Sequence, residues 1–148
     1  MFNHLKNRII LMSINKVTIY TDGAARGNPG PAAIGVIIKN GAGLIIEKIS
    51  QRLGVTTNNQ AEYQAIIIGL GKAIELGAKN TVVKSDSELV VEQINGRYKI
   101  KNTALRSLYQ KVVQLTGSLE SFSISYIPRE QNAAADALAN KALDNSNH

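Results

Sequence analysis

Four acidic residues carry the chemical information in this chain: Asp22, Glu62, Asp86 and Asp136. Asp22 ends the β-branched run VTIYTD, and Asp86 ends a second such run, NTVVKSD. Both runs read as strands. Their carboxylates therefore stand at strand carboxyl ends, where open α/β sheets place a ligand crevice. Glu62 lies early in NNQAEYQAIIIGLGKAIELG, which has apolar residues at helical spacing. Its neighbours along that helix are Asn58, Ala65, Ile66 and Gly69, largely small or apolar. Asp136 sits inside AAADALA, among alanines that let a backbone come close. Each acid also has a local structural explanation: a turn initiator at Asp22, an N-cap at Asp86, and first-turn acids at Glu62 and Asp136. As a set they fit those explanations less well. Four carboxylates gathered at one sheet edge repel unless a cation neutralises them. Oxygen donors without His or Cys favour Mg²⁺ or Mn²⁺. Two such ions about 3.5–4 Å apart suit in-line hydrolysis of a phosphodiester.

The charge balance points to the same chemistry. Seventeen Lys and Arg oppose eleven Asp and Glu, a formal +6. With four acids committed to metal, a strongly basic remainder is left to hold a nucleic-acid backbone. The bases are spread along the chain, with RYKIK (Arg97 to Lys101) as the one cluster. A hydrophobic content of 44% and a charged content of 19% describe a globular chain rather than a disordered or membrane-embedded one. No cysteine is present, which excludes disulfides and thiolate metal sites.

The elements that must position these acids read in the order strand, strand, strand, helix, strand, helix, helix, strand, helix. Hairpin strands followed by helix-linked crossovers imply one mixed sheet with helices packed on it, an α/β architecture. The second and third strands are expected to join at Asn40-Gly41. Asn58 or Asn59 is the expected N-cap of the first helix, with Gly77 ending it and Gly96 ending the second. Leu105, Leu108, Val112 and Leu115 mark one face of the third helix. Residues 16–143 form the expected domain, 1–15 an N-terminal extension and 144–148 a polar tail. MFNHLKNRIILMS has too short an apolar run for a secretory signal or a membrane span, so a cytoplasmic protein is expected, with Met12 as an alternative start. The stretch TDGAARGNPG has the glycines of a phosphate loop. A Walker loop needs Lys and Ser/Thr after its last glycine and a helix behind them. This stretch instead runs through Pro29, Gly30 and Pro31 into a second strand, so its glycines serve a turn beside Asp22.

Four segments in order, TDGAARGNPGPAAIG, TTNNQAEYQA, SDSELVV and NAAADALA, resemble the ribonuclease H type 1 family, and the likeness runs from about Lys16 to Leu143. The resemblance implies a five-stranded mixed sheet flanked by helices. It implies endonucleolytic, two-metal hydrolysis of the RNA strand of RNA–DNA hybrids, leaving 5′-phosphate and 3′-hydroxyl ends. Asp22, Glu62, Asp86 and Asp136 match the family's metal ligands, with Mg²⁺ the expected ion and Mn²⁺ an alternative. Asn28, Asn58 and Asn59 match its substrate-contacting positions. Backbone groups near Gly23 and Glu62 are expected beside RNA 2′-hydroxyls, which distinguish RNA from DNA.

The chain departs from the family pattern twice. Many members carry a His in the loop before the last aspartate. Here that loop is IPREQN, and the two histidines are His4 and His148. Arg129 or Glu130 is the expected replacement, against the alternative of solvated loop residues. Some members also insert a basic helix and loop that grips the hybrid. Here NGRYKIKN stands in its place, so Arg97, Lys99 and Lys101 are expected to bind the hybrid more weakly and with greater salt sensitivity. A monomer is expected. The competing functions are a junction resolvase or transposase-like nuclease of the same architecture, and a catalytically dead hybrid-binding module. The intact GNPGP and TTNNQAE segments disfavour the first, and the presence of all four acids disfavours the second.

Overall fold

The computed structural model describes residues 14–145. His4, Met12, His148 and most of the expected N-terminal extension lie outside those residues. The elements are β1 (Lys16–Ala25), β2 (Gly30–Lys39), β3 (Ile45–Thr56), α1 (Asn58–Glu75), β4 (Asn80–Ser85), α2 (Glu88–Ile94), α3 (Thr103–Thr116), β5 (Ser121–Tyr126) and α4 (Ala133–Asp144). A 3₁₀ turn at Arg129–Gln131 precedes α4. The five strands form one mixed sheet in the order β3-β2-β1-β4-β5. β2 pairs antiparallel with both β1 and β3, while β4 pairs parallel with both β1 and β5. This is the α/β architecture that the element order implies.

Local chemistry differs from the sequence reading at three joints. The β2–β3 connection spans residues 40–44 rather than turning on Asn40-Gly41. The Asn40 carboxamide accepts from the N–H groups of Ala42 and Leu44, and Gly43 adopts the positive φ of 81°. The Asn side chain thus braces a longer loop from within. The N-cap of α1 is Thr57, not Asn58 or Asn59, and its side chain accepts from the Gln60 N–H. Ser87 caps α2 by accepting from the Val90 N–H, so Asp86 is not consumed as a cap. Gly77 and Gly96 do end their helices as read, with φ of 99° and 78°.

The two faces of the sheet are covered differently. Val17, Ile19, Val36, Ile38 and Val83 pack under Ile66 and Leu70 of α1 and Val90 of α2. Each fully buried Ile or Leu contributes roughly 1.5–3 kcal/mol. Of the expected α3 face, Leu105 and Val112 are buried, and Leu108 and Leu115 pack half-buried against the same core. Tyr63 is fully buried and its hydroxyl donates to the Gln93 carboxamide at 2.8 Å, tying α1 to α2. On the opposite face α4 lies across β2, β3 and β1. Its seam is made of small residues, with Ala33 against Ala142 and Leu143. The Ser50 hydroxyl fixes its line by donating to the Leu138 carbonyl at 2.6 Å.

Two glycines let both helices close on the same end of β1. A Cβ on Gly23 would lie 2.2 Å from the Ala61 carbonyl of α1. A Cβ on Gly35 would lie 2.0 Å from the Ala135 carbonyl of α4. Gly35 is the registered partner of Asp22, and Gly23 is the next residue along β1. Successive strand residues face opposite ways. One glycine therefore admits α1 from one side and the other admits α4 from the other, with Asp22 between them.

Candidate active site

Asp22 is 6% exposed and Glu62 4%. Asp22 is held by its pairing with Gly35 of β2, one residue past the last β1–β4 pair at Thr21 and Ser85, and Glu62 by the first turns of α1 where that helix presses on Gly23. The Gly23 N–H donates to Glu62 Oε1, which locks that carboxylate to the strand. Asp86 follows β4 directly and is half-buried. One carboxylate oxygen from each of Asp22, Glu62 and Asp86 falls within a cluster whose atoms all lie within 4.8 Å of one another. Asp136, in the first turn of α4, lies close enough to Asp22 for its charge to raise that carboxyl's proton affinity, and it completes the group. All four acids line one cleft of about 380 Å³.

The electrostatics of this cleft are uncompensated. Burial pushes the Asp22 carboxyl up from 3.8 to about 8, reinforced by the charges of Asp86 and Asp136. Burial likewise raises Glu62 well above its ordinary value, with Asp22 adding to the effect and the Gly23 N–H opposing it. Asp22 Oδ2 is buried without a hydrogen-bond partner among the described residues. The nearest cation, Arg129, is 80% exposed and stands 3.8 Å from Asp136 Oδ1, too solvated to neutralise the floor of the cleft. Clustered hard oxygens, one of them orphaned, fit a divalent cation. Asp22, Glu62, Asp86 and Asp136 are the residues able to hold it.

The remaining expected residues divide sharply. Asn58 lines the cleft, and its carboxamide oxygen accepts from the Ala25 N–H at 3.1 Å. Asn28 stands just outside, where its carboxamide oxygen accepts from the Asn58 N–H at 3.0 Å. Both side-chain carbonyls thus tie the β1–β2 turn to the start of α1. The Gly23 N–H is committed to Glu62 and is not free to meet a ribose hydroxyl. Asn59 is half-buried and outside the cleft lining. Arg129 lines the cleft, whereas Glu130, exposed, does not. Arg97, Lys99 and Lys101 are exposed after α2 and do not line it either. Arg97 is already paired with Glu92 at 2.9 Å.

Asn132 is a site residue that motif reading passed over. It is 1% exposed, and its amide donates to the Thr21 carbonyl at 2.8 Å and to Asp86 Oδ2 at 3.1 Å. One buried amide therefore joins the strand carrying Asp22, the strand end carrying Asp86 and the start of the helix carrying Asp136. A polar residue just before an alanine-rich helix was the available signal, and it reads equally well as an ordinary cap.

A family model described as reverse transcriptase-like matches residues 20–142. Ribonuclease HI of Halobacterium salinarum is 40% identical over 131 residues, covering 88% of this chain and 66% of that protein. The crystal structure of RNase H1 from that archaeon superposes with a TM-score of 0.87 and covers 99% of the solved chain. LC11-RNase H1, solved in complex with an RNA/DNA hybrid, gives a TM-score of 0.85 at 41% identity, covering 89% of this chain and 99% of that one. A bifunctional protein of Mycobacterium tuberculosis is 42% identical over 130 residues, and the chain spans 36% of its length. A ribonuclease H of Paracidovorax citrulli is 34% identical over 148 residues, covering 88% of this chain and 96% of that protein. The chain spans about a third of the length of some curated relatives and nearly all of others. The match over most of this chain agrees with the four-carboxylate cleft, and the chain belongs to the ribonuclease H family.

Proposed function

We propose that this chain is an endonuclease that hydrolyses the RNA strand of RNA–DNA hybrids, leaving 5′-phosphate and 3′-hydroxyl ends. The observation that carries the reading is the convergence of Asp22, Glu62, Asp86 and Asp136 on one cleft. Family membership implies dependence on a divalent metal, and we assign Mg²⁺, with Mn²⁺ able to substitute, as two ions held by these four residues. When bound, the ions supply charge neutralisation and Lewis acidity at the scissile phosphate. The chain's own groups prepare the site. The Gly23 N–H fixes Glu62, Asn132 fixes Asp86, and the glycine contacts fix the heights of α1 and α4.

Substrate recognition follows from the rim. Asn28 and Asn58 use their carbonyl oxygens internally, so their amide NH₂ groups serve as neutral donors toward the hybrid backbone and its 2′-hydroxyls. Asn59 contributes from the next helical position. Arg129 takes the role of the usual loop histidine, since it lines the cleft and Glu130 does not. Arg97, Lys99 and Lys101 act as peripheral phosphate contacts, with Arg97 restrained by Glu92. The chain acts as a monomer. No helix among the described residues is long and apolar enough to cross a membrane.

Incubating a labelled hybrid with Mg²⁺ and either the wild-type protein or Asp22→Asn tests the reading. Cleavage of the RNA strand by wild type alone is the expected result. Equal cutting by both proteins overturns the site assignment. Binding without cutting by either one leaves a hybrid-binding module.

A further inference from the structure

Among the described residues, α4 covers only part of its face of the sheet, and the rest of that face is basic. The strand register places Ser125, Lys84, Tyr20, Ile37 and Lys48 in one row, and Ser123, Val82, Thr18 and Lys39 in the next. The Ser50–Leu138 bond marks this as the α4 side, because Lys48 precedes Ser50 by two residues. The Glu47 side chain points to the other face, where it meets Lys72 of α1. Around the buried Ile37 and half-buried Val82 these rows hold half-buried or exposed lysines and hydroxyls, and no carboxylate among the described residues falls in them. Lys39 rests over the Tyr20 ring at 5.0 Å, and the Lys84 ammonium donates to the Ser125 hydroxyl at 3.0 Å. Among the described residues neither has an acidic partner, in contrast to Arg26, Lys72, Arg97 and Arg129, which all do.

Part of this surface is concave and approaches the cleft at the start of α4. Lys16, Thr18, Tyr20 and Lys39 line a groove of about 430 Å³. A smaller hollow of about 170 Å³ continues from Tyr20 and Lys39 to Gln131 and Asn132 at the start of α4. Asn132 is the residue that hydrogen-bonds Asp86 on the cleft side. A chain leaving the cleft around the N-terminus of α4 would therefore arrive directly on the lysines.

We propose that this open sheet face binds a single nucleic-acid strand running off the end of the hybrid. The inference rests on the proposed nuclease reading. Uncompensated lysines and hydroxyls match a phosphodiester backbone. A single strand is required because a duplex, stiff over about 150 base pairs, cannot turn from the strand ends onto the sheet face. Tyr20 offers the one aromatic edge for a base, shared with Lys39. The preferred substrate is then a hybrid with a flanking single-stranded tail.

The test compares dissociation constants for a blunt hybrid and for the same hybrid with a ten-nucleotide RNA or DNA tail at either end. Binding is measured without divalent ions so that nothing is cut. Wild-type protein is expected to bind at least one tailed hybrid about three- to tenfold more tightly than the blunt one. The tail should steepen the salt dependence by roughly 2, as three lysine–phosphate contacts imply for a single strand. In Lys16→Ala/Lys39→Ala/Lys84→Ala the blunt-to-tailed ratio should fall to about one. The blunt hybrid is the reference within each protein, so a folding defect moves both values and not the ratio. Lys39→Gln/Lys84→Gln, which keeps the aliphatic stems, should lower the ratio in the same direction. A ratio of one in wild type, or an unchanged ratio in both variants, overturns the proposal. Failure to bind even the blunt hybrid would instead overturn the nuclease reading beneath it.

Discussion

The floor and the rim of the cleft are built on different principles. At the floor, Asp22 and Glu62 are almost fully buried, held by strand pairing and a backbone N–H, and their proton affinities are strongly raised. At the rim, half-buried Asp136 and exposed Arg129, 29% and 80% exposed, meet at 3.8 Å. The floor is a fixed cluster of acids that the fold maintains at a cost, seen in their raised proton affinity. The rim is adjustable, and its charges are screened. On the proposed reading, a site divided in this way would hold a cation rigidly while leaving the side facing substrate free to reposition.

The largest effect should come from the floor. Asp22→Asn is expected to reduce hybrid cleavage by about 10³-fold or more, roughly 4 kcal/mol of transition-state stabilisation. The same change should make the metal-free protein more stable. Asp22 titrates near 3.8 when unfolded and near 8 when folded, so between those values the folded state holds the extra proton. Stability of the wild-type protein without metal therefore falls as pH rises from about 4 to about 8. Asp22→Asn should flatten that fall in thermal melts and add roughly 1–3 kcal/mol at pH 8. A slope unchanged by the substitution would show that the floor is not under charge strain.

Gly23→Ala probes the floor from its backbone side. Its methyl would overlap the Ala61 carbonyl, so α1 must lift and carry Glu62 with it. A loss of about 2–3 kcal/mol, read as a melting temperature lower by roughly 5–10 °C, is expected. Asn132→Ala lies between floor and rim. It strips Asp86 and the Thr21 carbonyl of their shared donor. Calorimetric affinity for the divalent ion should weaken by about tenfold. Arg129→Ala should have the smallest effect, a few-fold change in turnover with stability unchanged. If it matches Asp22→Asn, the distinction between floor and rim collapses.

The sequence made the floor legible and left the rim in part unread. Asp22, Glu62 and Asp86 could be found because each acid interrupts a run whose periodicity fixes where it must stand. Asp136 could be found because alanines leave no other large side chain at that helix start. Asn132 could not, because its role depends on the crossing of β1, β4 and α4, and no local pattern records a crossing. Thr57 and Ser87 were overlooked in favour of neighbouring Asn and Asp, since all four residue types cap helices with similar preference. Arg97, Lys99 and Lys101 stood out as a cluster in the chain, yet Arg97 is already engaged by Glu92. Lys16, Lys39, Lys48 and Lys84 are scattered in sequence and are assembled only by strand register. Proximity along the chain was a poor guide to where positive charge is available.

The contact of Gly35 with Ala135 has a consequence for how this cleft can change. Helix α4 rests on the sheet with no side chain between them at that point, so the Cα of Gly35 acts as the stop against which α4 is seated. Any added methyl there would behave as a shim, raising the helix and moving Asp136 away from Asp22. The spacing of the clustered carboxylates is thus calibrated by a residue that has no functional group. Variation at Gly35 would retune the site without touching any of the atoms that perform the chemistry.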